Sequence, residues 1–166
     1  MQAVNPFPFR QLVRGDTLGY FTRDPIDYAI AIKTWTWLAH VEIYDGDGMS
    51  VASRNGIGVN RYPLRKDGLC VIRRPLQPFN YDTANAWFEK TARGQGYDWK
   101  GLLCFTLAEK QGSPDKMFCS EFWLNWYRQG HLELLDPNWS ADRTPPAFMM
   151  VTNVLETIWQ QGKGKS

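Results

Sequence analysis

The chain is poor in the residues that build metal centres and disulfide frameworks. It has two histidines and three cysteines, and the cysteines, Cys70, Cys104 and Cys119, show no CxxC spacing. An odd count without paired spacing argues against a disulfide scaffold. Two histidines leave too few ligands for a zinc site, so neither a metal nor another cofactor is expected. No apolar run approaches the roughly 20 residues that cross a bilayer. The opening MQAVNPFPFRQL lacks a charged segment followed by an apolar one, so no signal peptide is expected and the expected location is the cytoplasm. Charge of one sign is scarce as well. A net charge of +2 is too mild to point to a nucleic-acid partner. The basic residues that do cluster, Arg61, Arg65 and Lys66, then Arg73 and Arg74, are expected to form a solvated face.

What is present suits one globular domain over residues 1–166, long enough to bury a core without staples. Aromatics make up 14% of the chain, with eight tryptophans, which predicts bulky packing and leaves room for an apolar groove. Asp16 to Thr22 fits a short strand. Asp24-Pro25 fits a helix start, with Ile26, Ile30 and Lys33 continuing the helix to about Trp35. The segment AHVEIYDGDGMSVAS alternates around Asp45 to Gly48 and predicts a hairpin. A strand is expected over Leu69 to Arg73 and a helix over Asp82 to Arg93, stopped at Gly94 to Gly96. Asp98 is placed to cap a helix in WKGLLCFTLAEK. Val151 to Gln161 fits a final amphipathic helix, and GKGKS at 162–166 is expected to be disordered. The order implies an α+β fold with a mostly antiparallel sheet.

The stretch MFCSEFWLNWYRQG carries the chemistry. Phe118, Phe122 and Trp126 recur at helical spacing, as do Trp123 and Tyr127, and Gly130 is the expected stop. Cys119 and Ser120 then lie at a helix N-terminus, where free N–H groups and the positive dipole end favour negative charge. A cysteine there is either a nucleophile or a small packed hydrophobe. A nucleophile needs a base. His131 follows the end of the helix, a full helix length from Cys119. His40 opens the strand HVEIY, where alternation puts His40, Glu42 and Tyr44 on one face and Val41 and Ile43 on the other. Glu42 is either the carboxylate that orients His40 or an exposed strand residue.

LAHVEIYDG, VASRNGIGV, YDWKGLLCF and MFCSEF, in that order, resemble the circularly permuted NlpC-like papain-fold hydrolases, a group that includes the YiiX-like proteins. RGDTLGYFT resembles the strand entry of the same family. The resemblance covers roughly residues 12–130, and placing the histidine strand before the cysteine helix is the permuted order. It implies a papain-like fold in which a small, curved antiparallel sheet packs against a helix carrying the nucleophile at its N-terminus. Cys119 matches the nucleophile and His40 the general base. The third polar residue, which family members can take from the next strand, is not matched by His, Glu or Asp in Met49 to Arg54. Glu42 is the first choice for it, ahead of Ser53 and Asn55. Asp16 and Asp98 fit turn formation and capping. Tyr97 and Ser120 are assigned to substrate binding, with a buried structural role standing beside it for Tyr97. The implied function is cysteine-dependent hydrolysis of an amide, ester or thioester, in a peptide or an acylated small molecule. A catalytically idle binding module and a lipid-directed acyltransferase are the alternatives.

Overall fold

The computed structural model of the chain describes residues 9–22, 28, 30–32, 36–98 and 115–161. Six antiparallel strands form one sheet: β1 (Thr17–Tyr20), β2 (His40–Gly46), β3 (Met49–Arg54), β4 (Gly58–Pro63), β5 (Leu69–Pro75) and β6 (Leu155–Gln160). Their spatial order is β4-β3-β2-β1-β5-β6. β1 therefore lies between the histidine strand and the return from β4. The β2–β3 hairpin is the one its alternation predicts. Asp47 has φ 52° and Gly48 φ 71°, the left-handed conformations that a tight hairpin turn requires.

Three α-helices are described from end to end. They are α1 (Tyr81–Trp87), extended by a π-helical turn over Phe88–Ala92, α2 (Cys119–Gln129) and the single turn α3 (Phe148–Val151). Asn80 caps α1 by accepting from Thr83 N–H. The apolar stripe of α2 packs on the sheet. Phe122, Trp123, Leu124, Trp126 and Tyr127 share one core with Val41, Ile43, Val51 and Val71. Within that core a directional chain of hydrogen bonds fixes the helix to β1. Trp123 Nε1 donates to Thr17 Oγ1 at 3.0 Å. Tyr127 spends its proton on the Gly15 carbonyl, so Thr17 donates to Tyr127 Oη at 2.7 Å.

Several expectations are corrected. Val151 to Gln161 is not a helix: α3 ends at Val151 and β6 pairs with β5 from Pro75↔Leu155 to Val71↔Gln160. The run VLETIW fits both periods, and β5 would otherwise leave its backbone groups unpaired along one edge. β4 is a strand that the sequence reading did not separate. The basic cluster is not a solvated face. Arg73 is buried and donates to the carbonyls of Met149, Thr152 and Leu155. Arg74 forks onto Asp16 at 2.7 and 2.8 Å, and Arg61 joins β4 to Asp45 on β2 and to Glu89 beside α1. Of the helix expected from Asp24, Tyr28 and Ile30 to Ile32 are described and helical. The helix expected after Asp98, with Cys104, and the 162–166 tail lie outside the described residues.

α2 stops at Gly130, as expected, but the left-handed turn that follows falls on the next residue. Gly130 keeps an ordinary φ of −79°, and the left-handed residue is His131 at φ 62°. His131 N–H bonds to Arg128 O and Leu132 N–H to Tyr127 O, both at 3.0 Å, which is the Schellman pattern. A non-glycine side chain there is strained. His131→Gly is expected to raise stability by about 0.5–1 kcal/mol, read as a higher urea midpoint with unchanged slope.

Candidate active site

α2 begins at Cys119 because Phe118 is extended, with φ −88° and ψ 172°. Phe118 sits there as part of a small apolar cluster with Ile30, Ala39 and Tyr97. The approach to the helix is fixed from the sheet side by Ser53, whose Oγ donates to Met117 O at 2.5 Å. Within the first turn, Ser120 Oγ donates to Thr144 O at 2.5 Å, so its hydroxyl is engaged in holding the C-terminal segment. Glu121 accepts from Phe118 N–H, and burial, together with the charges of Asp142 and Asp98, pushes its carboxyl up to about 7. The N–H groups of Cys119, Ser120 and Glu121 have no acceptor inside the helix. They are therefore oriented donors at the sulfur's end of α2.

His40 opens β2 and lies between Cys119 and Glu42. Its Nε2 is 3.1 Å from Glu42 Oε1, and the Cys119 side chain lies near enough to act on its pKa. With Nε2 turned to the carboxylate, the other ring nitrogen, Nδ1, is the one left for sulfur. Burial alone would push the imidazole down. The charge and hydrogen bond of Cys119, with those of Glu42, outweigh it and raise the pKa to about 9. The site thus favours the imidazolium form of His40.

Glu42 is fully buried, which removes its reading as an exposed strand residue. Four donors converge on its two oxygens. Oε1 takes His40 Nε2 at 3.1 Å and Arg54 Nε at 2.8 Å. Oε2 takes Ser50 Oγ at 2.5 Å and Arg54 Nη2 at 3.0 Å. Arg65 Nη2 stands farther off, 3.7 Å from Oε1. Burial disfavours the charge, but the bonds and charges of His40 and then of Arg54 hold the carboxyl well below the usual carboxylate range.

The structure thus brings Cys119, His40 and Glu42 together. Ser53 and Asn55, the other choices for the third polar residue, are elsewhere: Ser53 is bonded to Met117 O and Asn55 is exposed in the β3–β4 turn. Tyr97 is buried against Phe118, one residue from the sulfur. His131 is exposed at the far end of α2. The sequence reading missed Ser50 and Arg54. The signal was in the hairpin register: Ile43 pairs with Val51, so Glu42 falls opposite Ala52 and is flanked diagonally by Ser50 and Arg54.

A metal does not suit this donor set, because both Glu42 oxygens and His40 Nε2 are committed to one another and to Arg54 and Ser50. No group of three His, Cys, Asp or Glu among the described residues could hold a metal ion. Among the same residues no helix is long and apolar enough to cross a membrane.

No protein-family model and no curated protein matches the sequence. The fold is similar to that of the metalloprotein YiiX from Escherichia coli O157:H7, DUF1105, with a TM-score of 0.64 at 16% identity, over 90% of this chain and 98% of that one. At that identity the likeness is one of fold, a mixed α+β arrangement around an antiparallel sheet.

Proposed function

We propose that the chain is a cysteine-dependent hydrolase of the amidase or peptidase type, with Cys119 as nucleophile, His40 as proton carrier and Glu42 as the residue that orients His40. The observation that carries this reading is the single imidazole that is hydrogen-bonded to a buried, ionised carboxylate and set beside a helix-N-terminal cysteine. His40 takes the thiol proton and the sulfur attacks an amide, ester or thioester carbonyl. The N–H groups at the start of α2 stabilise the oxyanion, His40 protonates the leaving group, and water attacks the thioester to release the acid. The papain-like character of the fold belongs to the same reading, as do a peptide or acylated substrate and a place for Tyr97 beside the bound acyl group.

One observation favours a second reading, a catalytically idle binding module: Cys119 has 0% of its surface exposed, and a nucleophile must be reached. A panel of peptide amides, acyl esters and acyl thioesters, followed by mass spectrometry of the intact protein, separates the two. The hydrolase is expected to carry an acyl adduct on Cys119 with at least one of these, and to turn it over. The raised His40 pKa sets the alkaline limit. Imidazolium is present below about 9 and is lost as pH rises through that value, so turnover is expected to fall on that limb. No adduct from any acyl class, with the thiol still alkylated once the protein is unfolded, favours the binding module.

A further inference from the structure

We infer that Arg54 is a positioning residue for the Cys119–His40 pair, acting through Glu42 and never touching the reacting atoms. The inference rests on the hydrolase reading for its consequence and on geometry for its content. Arg54 meets Glu42 as a fork, Nε to Oε1 at 2.8 Å and Nη2 to Oε2 at 3.0 Å. A two-point contact fixes the plane of the carboxylate as well as its place, which a single point charge cannot do. The fork is itself held. The guanidinium lies 4.3 Å over the Tyr62 ring, and Nη2 also donates to Pro63 O at 3.2 Å. Tyr62 is anchored in turn by its hydroxyl on Gly58 O at 2.6 Å. A chain of contacts therefore runs from β4 through Arg54 and Glu42 to the imidazole.

The carboxylate plane matters because Oε1 has to serve His40 and Arg54 together. Rotating the carboxylate about its own axis moves Oε1 away from Nε2, and the ring then loses the contact that turns Nδ1 toward sulfur. Ser50 resists that rotation at one oxygen only, Oε2. Arg65 is not a substitute for the fork. At 3.7 Å it makes no hydrogen bond to Glu42, and its guanidinium lies 4.7 Å over Tyr20.

Charge and position make opposite predictions, which is what makes the inference testable. Besides Arg54, the groups facing Glu42 are His40, Ser50, Arg65 and the rings of Tyr20 and Tyr62, and Cys119 faces His40 from α2. Removing the Arg54 charge alone leaves His40 as the main partner of Glu42, which favours imidazolium and leaves sulfur reactivity intact. Removing the fork disorders the ring and slows sulfur at every pH.

The test uses the full chain as wild type, Arg54→Lys and Arg54→Met. It reads the alkylation rate of Cys119 by iodoacetamide against pH and the titration of the His40 ring by NMR, where His131 is the sole other imidazole. Arg54→Met is expected to lower the alkylation plateau about tenfold. Arg54→Lys keeps the charge without the fork, so its His40 titration stays near wild type while its plateau remains several-fold low. A Lys variant with the full wild-type plateau, or a folded Met variant with wild-type rate and titration, overturns the inference. If Cys119 in the wild type alkylates at a rate indifferent to His40→Ala, the hydrolase reading fails instead. The positioning role is then read from the slowly exchanging His40 Nε2 proton alone: its signal is kept in wild type and lost in Arg54→Lys if the fork orients the ring, and its survival in both variants overturns the role.

Discussion

His40→Ala is expected to leave a folded protein in which Cys119 alkylates at pH 7 at least about tenfold more slowly than in wild type. The substitution should be tolerated structurally. His40 opens β2, so the strand's pairing does not depend on its ring, and the main core contains Val41 and Ile43 but not His40. What is lost is the imidazolium that the site maintains to about pH 9. If a substrate turns over, the same variant should lose about 10²–10⁴ in rate, the usual worth of a positioned acid–base group. Cys119→Ala should remove the alkylation site and any acyl adduct together. The measurement is peptide-resolved mass spectrometry, because Cys70 is partly exposed and would otherwise be counted. An unchanged Cys119 rate in His40→Ala would separate the two residues chemically, whatever their distance.

How much of this site could be read from the sequence depends on whether each contact is local. The helix α2 was legible because its apolar residues recur at the helical period, and they are buried as that period predicts. The pairing of His40 with Glu42 was legible because strand alternation places them on one face. The burial of Glu42 was not. It depends on Arg54, Ser50 and the β3–β4 hairpin, and a carboxylate on a strand looks the same in sequence whether water or a guanidinium faces it. The β6 strand was missed for a related reason. VLETIW fits a helix or a strand locally, and the open edge of β5, some 80 residues earlier in the chain as the Arg73–Leu155 contact shows, decides between them. The basic cluster follows the same rule. Arg61, Arg73 and Arg74 look like surface charge until Asp45, the carbonyls of the C-terminal segment and Asp16 are brought to them.

Glu42→Gln is expected to destabilise the protein by about 3–5 kcal/mol at neutral pH, because it removes one charge of a buried cluster and leaves its partners in place. The amide is almost isosteric, so the loss is not one of packing. All three groups bonded to the carboxylate donate, and Arg54 donates to both oxygens. Whichever way the amide is turned, its NH₂ meets an Arg54 N–H. For a chain of this size the cost amounts to a fall of about 10 °C in melting temperature.

The pH dependence separates this from a generic core defect. The carboxyl of Glu42 is depressed in the folded protein, so its contribution is complete above the ordinary carboxylate pKa of about 4.3 and is lost progressively as pH falls below it. The gap between wild type and Glu42→Gln should therefore be widest near neutrality and narrow in acid. It should narrow again above about pH 9, where His40 loses its proton and one of the charges facing Glu42 disappears. Chemical denaturation at pH 3, 7 and 10 measures the gap directly. A gap constant across that range would mean that Glu42 supports the fold by shape alone, and the electrostatic coupling from Arg54 through Glu42 to His40 would have to be abandoned.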